Sequence, residues 1–179
     1  PIFVLKEHGR VSNLFVPPQS GGMEIHMSIQ IQPFTTPSTD GIHTLQGAVY
    51  CPEGQPVGVL QIIHGMTEYI GRYDVFMREM AEAGWLVCGH DHLGHGQTAD
   101  PSELGYIAHK NGWDILCRDA KAFGDAVRKT YGREIPYVIL GHSMGSFIAR
   151  LTVERYITPE DGMSGLIVMG TGGPNPAAG

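Results

Sequence analysis

No apolar run in this sequence approaches the roughly 20 residues that a helix needs to cross a bilayer, which excludes a helical membrane span. Basic runs are missing too. Lys and Arg number 12 against 18 Asp and Glu, a net charge of −6, and that balance excludes a nucleic-acid partner. Cysteine is scarce: Cys51, Cys88 and Cys117 are odd in number, widely spaced and in no C-x-x-C pair. The expectation is free thiols buried in a reducing cytoplasm. The N-terminus lacks the charged, apolar and cleavage segments of a signal peptide. Internal repeats and low-complexity tracts are absent, and no histidine follows His142. What is present is 179 residues, 42% of them hydrophobic, enough for one domain with a real core.

The chain opens with a segment, residues 1–22, that reads as a leader or a poorly ordered stretch. Pro17-Pro18 and Gly21-Gly22 separate it from the first clear element. Met23, Ile25, Met27, Ile29 and Ile31 alternate with polar residues, which predicts a strand with one wet face. Gln32 to Asp40 reads as a turn-rich connection. Leu45, Gly47 and Val49 alternate again, so the start is antiparallel. From Val57 the pattern changes. Val57–Ile63, Trp85–Cys88, Tyr137–Leu140 and Leu166–Met169 are almost wholly apolar, as strands covered on both faces are. Between them, Tyr73, Phe76, Met77, Met80 and Ala81, and then Trp113, Leu116, Cys117, Ala120, Phe123 and Val127, recur at helical spacing. Strands alternating with helices predict an α/β fold with a mostly parallel sheet. If the sheet stops at Leu166–Met169, that strand is an exposed edge and a route to self-association.

One pentapeptide organises the chemistry. Gly141-His142-Ser143-Met144-Gly145 lies between the strand Tyr137–Leu140 and an amphipathic stretch from Phe147 to Tyr156. A G-x-S-x-G match alone is weak. In a strand-turn-helix setting it is a nucleophile elbow, with the serine hydroxyl pushed out past the strand end. Gly141 and Gly145 are then required because a side chain at either collides with a neighbouring element. A serine hydroxyl needs a base to take its proton and donors to hold the oxyanion. His64-Gly65-Met66 ends the strand Val57–Ile63, at the sheet edge where ligands of open α/β sheets bind. The N–H groups of Met66 and Met144 are the candidate donors, and Gly65 allows close backbone approach.

Three segments in this order, His64-Gly-Met-Thr-Glu68-Tyr-Ile-Gly-Arg72-Tyr73, Asp91-His-Leu-Gly94-His95-Gly96 and Gly141–Gly145, resemble the α/β-hydrolase superfamily. The likeness is to its monoacylglycerol lipase and lysophospholipase-like branch, and it runs over roughly residues 23–176. The resemblance implies that Ser143 is the nucleophile and that Met66 and Met144 form the oxyanion hole. It also implies an ester or small lipid substrate, no cofactor and no metal. His64, Gly65 and His142 stand where substrate-lining residues are expected. Glu68, Arg72, Asp91, Gly94, His95, Gly96, Gly141 and Gly145 match loop positions, with Glu68 and Arg72 spaced to pair and Asp91 placed to accept backbone hydrogen bonds.

One departure is large. In this fold the triad partners follow the serine in the order acid, then histidine. Here Glu154, Glu160 and Asp161 sit on or just after the elbow helix, and no histidine follows Ser143. Residues 23–179 therefore read as the N-terminal part of an α/β-hydrolase domain, without lid and last strands, and nearly inactive alone. The alternatives are a catalytically incomplete fragment or half of a split protein, and a serine hydrolase of another acyl group: thioester, lactone or peptide. An upstream base is a further possibility, with His64 best placed. His90-Asp-His92-Leu-Gly-His95 nearly meets a zinc pattern, but Gly94 stands where its Asp belongs, and the hydrolase loop accounts for the segment better.

Overall fold

A computed structural model describes residues 3–5 and 29–173. Its strands form one sheet: β1 (Phe3–Leu5), β2 (Gln30–Pro37), β3 (Thr44–Cys51), β4 (Gly58–Ile63), β5 (Trp85–His90), β6 (Tyr137–His142) and β7 (Met163–Met169). The spatial order is β1-β7-β6-β4-β5-β3-β2. β4, β5, β6 and β7 run parallel; β2 and β3 join one side antiparallel and β1 the other. The α/β class and the antiparallel start are as the sequence patterns predict.

Helices α1 (Asp74–Glu82), α2 (Gly112–Tyr131) and α3 (Met144–Tyr156) cover the sheet. Successive strand side chains point to opposite faces, which splits the apolar runs between two cores. Val59 and Ile63 of β4 pack with Leu116, Phe123 and Ile148 of α2 and α3. Leu60 and Ile62 of the same strand pack with Met77 and Ala81 of α1. Met77 and Ala81 of the first helical stripe and Leu116, Cys117, Ala120, Phe123 and Val127 of the second are buried as expected, whereas Phe76 and Trp113 of the same stripes are exposed. Gln61 is a buried polar residue in β4, and it is satisfied: its amide donates to the Ala120 carbonyl at 2.8 Å and its oxygen accepts from Tyr137. Of the thiols, Cys88 and Cys117 are buried, Cys51 is half-buried, and all three are free.

Two expectations are corrected. The period-two stretch from Met23 falls, up to Ser28, outside the described residues, while the supposed connection from Gln32 is strand. β2 pairs with β3 along its whole length, from Gln30 opposite Cys51 to Pro37 opposite Thr44. Pro33 and Pro37 suggest a turn, but an edge strand tolerates proline because one row of its N–H groups needs no partner. The second correction concerns β7. Leu166, Ile167 and Val168 pair with β1, so the bare edge on which self-association rested is occupied there. The rest of the leader segment lies outside the described residues.

The topology places the site. β4 continues to β5 on one side, whereas β6 lies on its other side and continues to β7. The carboxyl ends of β4 and β6 therefore flank the point where strand order reverses, and such a crevice is where open α/β sheets bind ligands. Ile63 pairs with Gly141, so the loops after these two strands begin side by side.

Candidate active site

Ser143 is held at φ 52°, ψ −119°, between β6 and the first turn of α3. Its N–H donates to the Met169 carbonyl at the end of β7 (2.9 Å), and its carbonyl accepts from the Ser146 N–H (2.9 Å) and the Ser146 hydroxyl (2.6 Å). Those bonds fix a backbone conformation that costs a non-glycine residue about 1–3 kcal/mol. Ser143→Gly is therefore expected to raise stability by about 1 kcal/mol in urea unfolding, and Ser143→Ala, which keeps the Cβ, is not.

The two flanking glycines are matters of space. A Cβ on Gly141 would stand 2.3 Å from the Gly145 carbonyl oxygen, and one on Gly145 would stand 2.0 Å from that of Ile63. A Cβ on Gly65 would lie 3.1 Å from the Cβ of Ser143, so the strand-end loop after β4 runs directly beside the serine. Thr67 in that loop has φ 58°, an outlier for a β-branched residue. Met66 is 62% exposed and Met144 only 6%. The Met144 N–H opens α3 and has no partner within the helix. Among the described residues, neither it nor the Met66 N–H meets a protein acceptor.

Glu68 braces this loop. Its carboxylate accepts the Gly65 N–H (2.8 Å), the Tyr73 hydroxyl (2.9 Å) and the Nδ1–H of His142 (3.1 Å). Burial works to raise its pKa, but the hydrogen bonds, that of His142 first, outweigh burial and hold it below the ordinary carboxylate value. This differs from the pairing with Arg72 that the spacing suggests. Among the described residues no ion pair joins Glu68 to Arg72, whose side chain is exposed. The network ties His142, next to the serine, to the loop after β4, and Tyr73 is a member that sequence reading misses.

His64 is the other correction. It is fully buried, so it cannot touch a substrate. Its Nε2 accepts the His92 N–H (3.1 Å), which leaves the proton on Nδ1, donated to the Gly65 carbonyl (2.8 Å). His92 returns a bond from Nε2 to the His64 carbonyl (3.1 Å). The pair staples the loop after β4 to the loop after β5. Burial lowers the His64 pKa to about 4, and with its lone pair occupied it is no base for Ser143.

Asp91 accepts the N–H groups of Ile70 and Gln97, both at 2.7 Å, and so shapes the loop as expected. Gly96 sits at φ +51°, where a Cβ would lie 2.0 Å from the Asp91 carboxylate; at Gly94 it would lie 2.3 Å from the Tyr106 carbonyl oxygen. His95 is buried, its Nδ1 on the Leu93 carbonyl (2.9 Å). The ring centroids of His64 and His92 lie 4.0 Å apart with the planes tilted by 40°, with His90 5.3 Å from His92 and His95 5.4 Å from His64. Among the described residues no three ligating side chains converge as a metal site requires.

Ser143 opens into a cleft of about 660 Å³, walled by Met66, Trp113, Met144, Phe147 and Leu151. That volume and apolar lining are those of a small-molecule site.

The profile of the family described as serine aminopeptidase, S33 (Hydrolase_4) matches residues 54–174. The chain belongs to this α/β-hydrolase family. It is 34% identical to a rat monoglyceride lipase over 112 residues, 63% of this chain and 35% of the relative. The human monoglyceride lipase is 36% identical over 101 residues, 56% of this chain and 31% of that one. Among solved structures, a thermostable carboxyl esterase from Bacillus coagulans, bound to glycerol, superposes with TM-score 0.74 at 35% identity. It covers 83% of this chain, which in turn covers 46% of it. The chain thus spans about a third of the length of these curated relatives. Among the described residues no helix is long and apolar enough to cross a membrane.

Proposed function

We propose that this chain carries the nucleophile and oxyanion half of a carboxylic ester hydrolase of monoacylglycerol lipase or lysophospholipase type. Ser143 Oγ attacks the ester carbonyl as its proton passes to a general base, and the N–H groups of Met66 and Met144 hold the oxyanion. The C–O bond then breaks, the alcohol leaving with that proton and the acyl group staying on the serine. The observation that carries the reading is the strained Ser143, raised between β6 and α3, beside Gly65 and open to an apolar cleft. A monoacyl chain suits those walls. Met66, Trp113, Phe147 and Leu151 offer apolar surface and no hydrogen-bonding demand beyond the indole N–H.

Among the described residues no histidine lines the cleft to serve as the base. His64, His90 and His92 are fully buried and His142 turns Nδ1 to Glu68. The chain by itself is therefore nearly inactive, since loss of the base costs on the order of 10⁶ in kcat in the best-studied serine hydrolase. A peptide substrate, which the family description suggests, is less well served. A free α-amino group needs a carboxylate, and none lines the cleft among the described residues.

The test is covalent labelling with excess fluorophosphonate, read by intact and peptide mass. The expected result is one adduct, on Ser143, forming slowly and absent from Ser143→Ala. Labelling elsewhere, or labelling that survives Ser143→Ala, contradicts the reading, and a folded chain that stays unlabelled favours the catalytically incomplete fragment.

A further inference from the structure

Among the described residues one charged side chain lines the cleft. Along α3, Met144, Phe147, Leu151 and Arg155 stand at intervals of three and four residues, which puts them on one face of the helix. The cleft lining runs from Ser143, just before the helix, to Arg155 in its last turn. Met144 and Arg155 are eleven positions apart, roughly 16 Å along the helix axis. Its surroundings leave it unclaimed. Asp114 of the facing helix α2 is taken by Arg118 Nε at 3.1 Å and by the Tyr156 hydroxyl. Among the described residues Arg155 makes no ion pair and no side-chain hydrogen bond, and it is exposed. A cation at the end of an apolar groove is complementary to one kind of molecule: an apolar chain with an anion at its tip.

We propose that Arg155 is a specificity-determining residue of this cleft, selecting single-chain esters whose acyl chain ends in a carboxylate, that is, half-esters of medium- or long-chain dicarboxylic acids. The proposal rests on the ester-hydrolase reading of Ser143 and adds the chemistry of the substrate's far end. The scissile carbonyl lies at Ser143, the hydrocarbon passes Met144, Phe147 and Leu151, and the terminal carboxylate reaches the guanidinium. The apolar wall decides against a phosphate head group. A glycerophosphate carries its charge only a few atoms from the ester, and its hydroxyl would find no partner along that wall. The guanidinium gives a planar pair of donors that matches a carboxylate.

Binding tests this without turnover. Trp113 lines the cleft and is 49% exposed, so its fluorescence reports occupancy, with Trp113→Phe as the control for the second tryptophan. Three non-hydrolysable ether probes are titrated below their aggregation concentrations: a neutral alkyl glycerol, the same chain ending in a carboxylate, and the alkyl glycerol phosphate. The carboxylate-ended probe is expected to bind about fivefold more tightly than the neutral one, as an exposed charge pair provides, and the preference shrinks as salt is raised. Arg155→Met removes the preference and leaves neutral binding intact, whereas Arg155→Lys keeps most of it; circular dichroism confirms that both are folded. Equal binding of all three probes, the phosphate binding best, or a preference that survives Arg155→Met overturns the proposal and leaves the Ser143 reading standing. Failure of every probe to bind removes the cleft as an acyl site, and with it the lipid-ester reading. Labelling of Ser143 remains a separate result.

Discussion

Gly145→Val is expected to abolish folding, giving insoluble chain or a far-UV spectrum without cooperative unfolding. Any Cβ at this position would stand 2.0 Å from the Ile63 carbonyl oxygen and 2.5 Å from that of His64. Both obstacles are backbone. They belong to the end of β4, which is paired on both sides, with β5 and with β6. Nothing there can swing aside as a flexible side-chain tip can. Relief requires α3 to move off the sheet, and the contacts of Ile148 and Ala149, both fully buried, go with it. Overpacking in an ordinary core costs about 1–3 kcal/mol; a branched side chain against fixed backbone exceeds that and competes with the whole stability of a domain, about 5–15 kcal/mol. Gly145→Ala tests the same point more gently, with a loss of about 3 kcal/mol or more in urea unfolding. A Gly145→Ala chain as stable as the parent would mean that the helix does not sit where the structure puts it.

Acid is expected to unfold the chain well above the range where carboxylates titrate. Burial lowers His64 to about 4, His90 to about 3, and His92 well below its ordinary value, with the neighbouring imidazoles adding to the effect in His90 and His92. In each case the unfolded histidine, near 6.5, binds its proton first. The neutral rings therefore support the fold fully above about pH 6.5, and that support is lost as pH falls from there toward the folded values. Three such groups together give a slope of up to about 4 kcal/mol per pH unit, since each proton contributes about 1.4. Some groups run the other way. His43, raised by its hydrogen bond to Asp40, and Asp119, raised by burial, both bind protons more readily in the folded chain. The net slope is thus below the sum, though still positive. His90→Phe isolates one proton. Among the described residues neither buried His90 nitrogen has a partner, and its ring already lies 4.7 Å from Phe123. The variant should match or exceed parent stability at pH 8 and lose stability less steeply by about 1.4 kcal/mol per unit below pH 6. A parent chain whose urea midpoint is flat from pH 7 to pH 5 would contradict the buried, neutral cluster.

Much of the fold is legible in the sequence because burial on both faces leaves nearly unbroken apolar runs. β4, β5, β6 and β7 each contain one, and their positions agree with the predicted strands to within a few residues. β2 is hidden by Pro33 and Pro37, which signal a turn unless it is known that the strand lies at an edge. That fact is set by the pairing of β3 with β5, not by anything local. At the site, the elbow and its glycines are legible because steric demand is local. The role of Glu68 is not. Its bond to His142 spans 74 positions and depends on β4 and β6 lying side by side. His64 reads as a substrate contact until the fold is known, because burial of a polar ring is a property of packing. Arg155 gives no local signal, because a charge near a helix end reads as a solvated face. Only the groove marks it.

The central claim is that the hydroxyl of Ser143 faces two free main-chain donors. The structure of the Ser143 phosphonate adduct measures this most directly. The account predicts the phosphoryl oxygen within about 2.7–3.1 Å of both the Met66 and Met144 nitrogens. An adduct whose oxygen points to solvent, away from those two nitrogens, would contradict it.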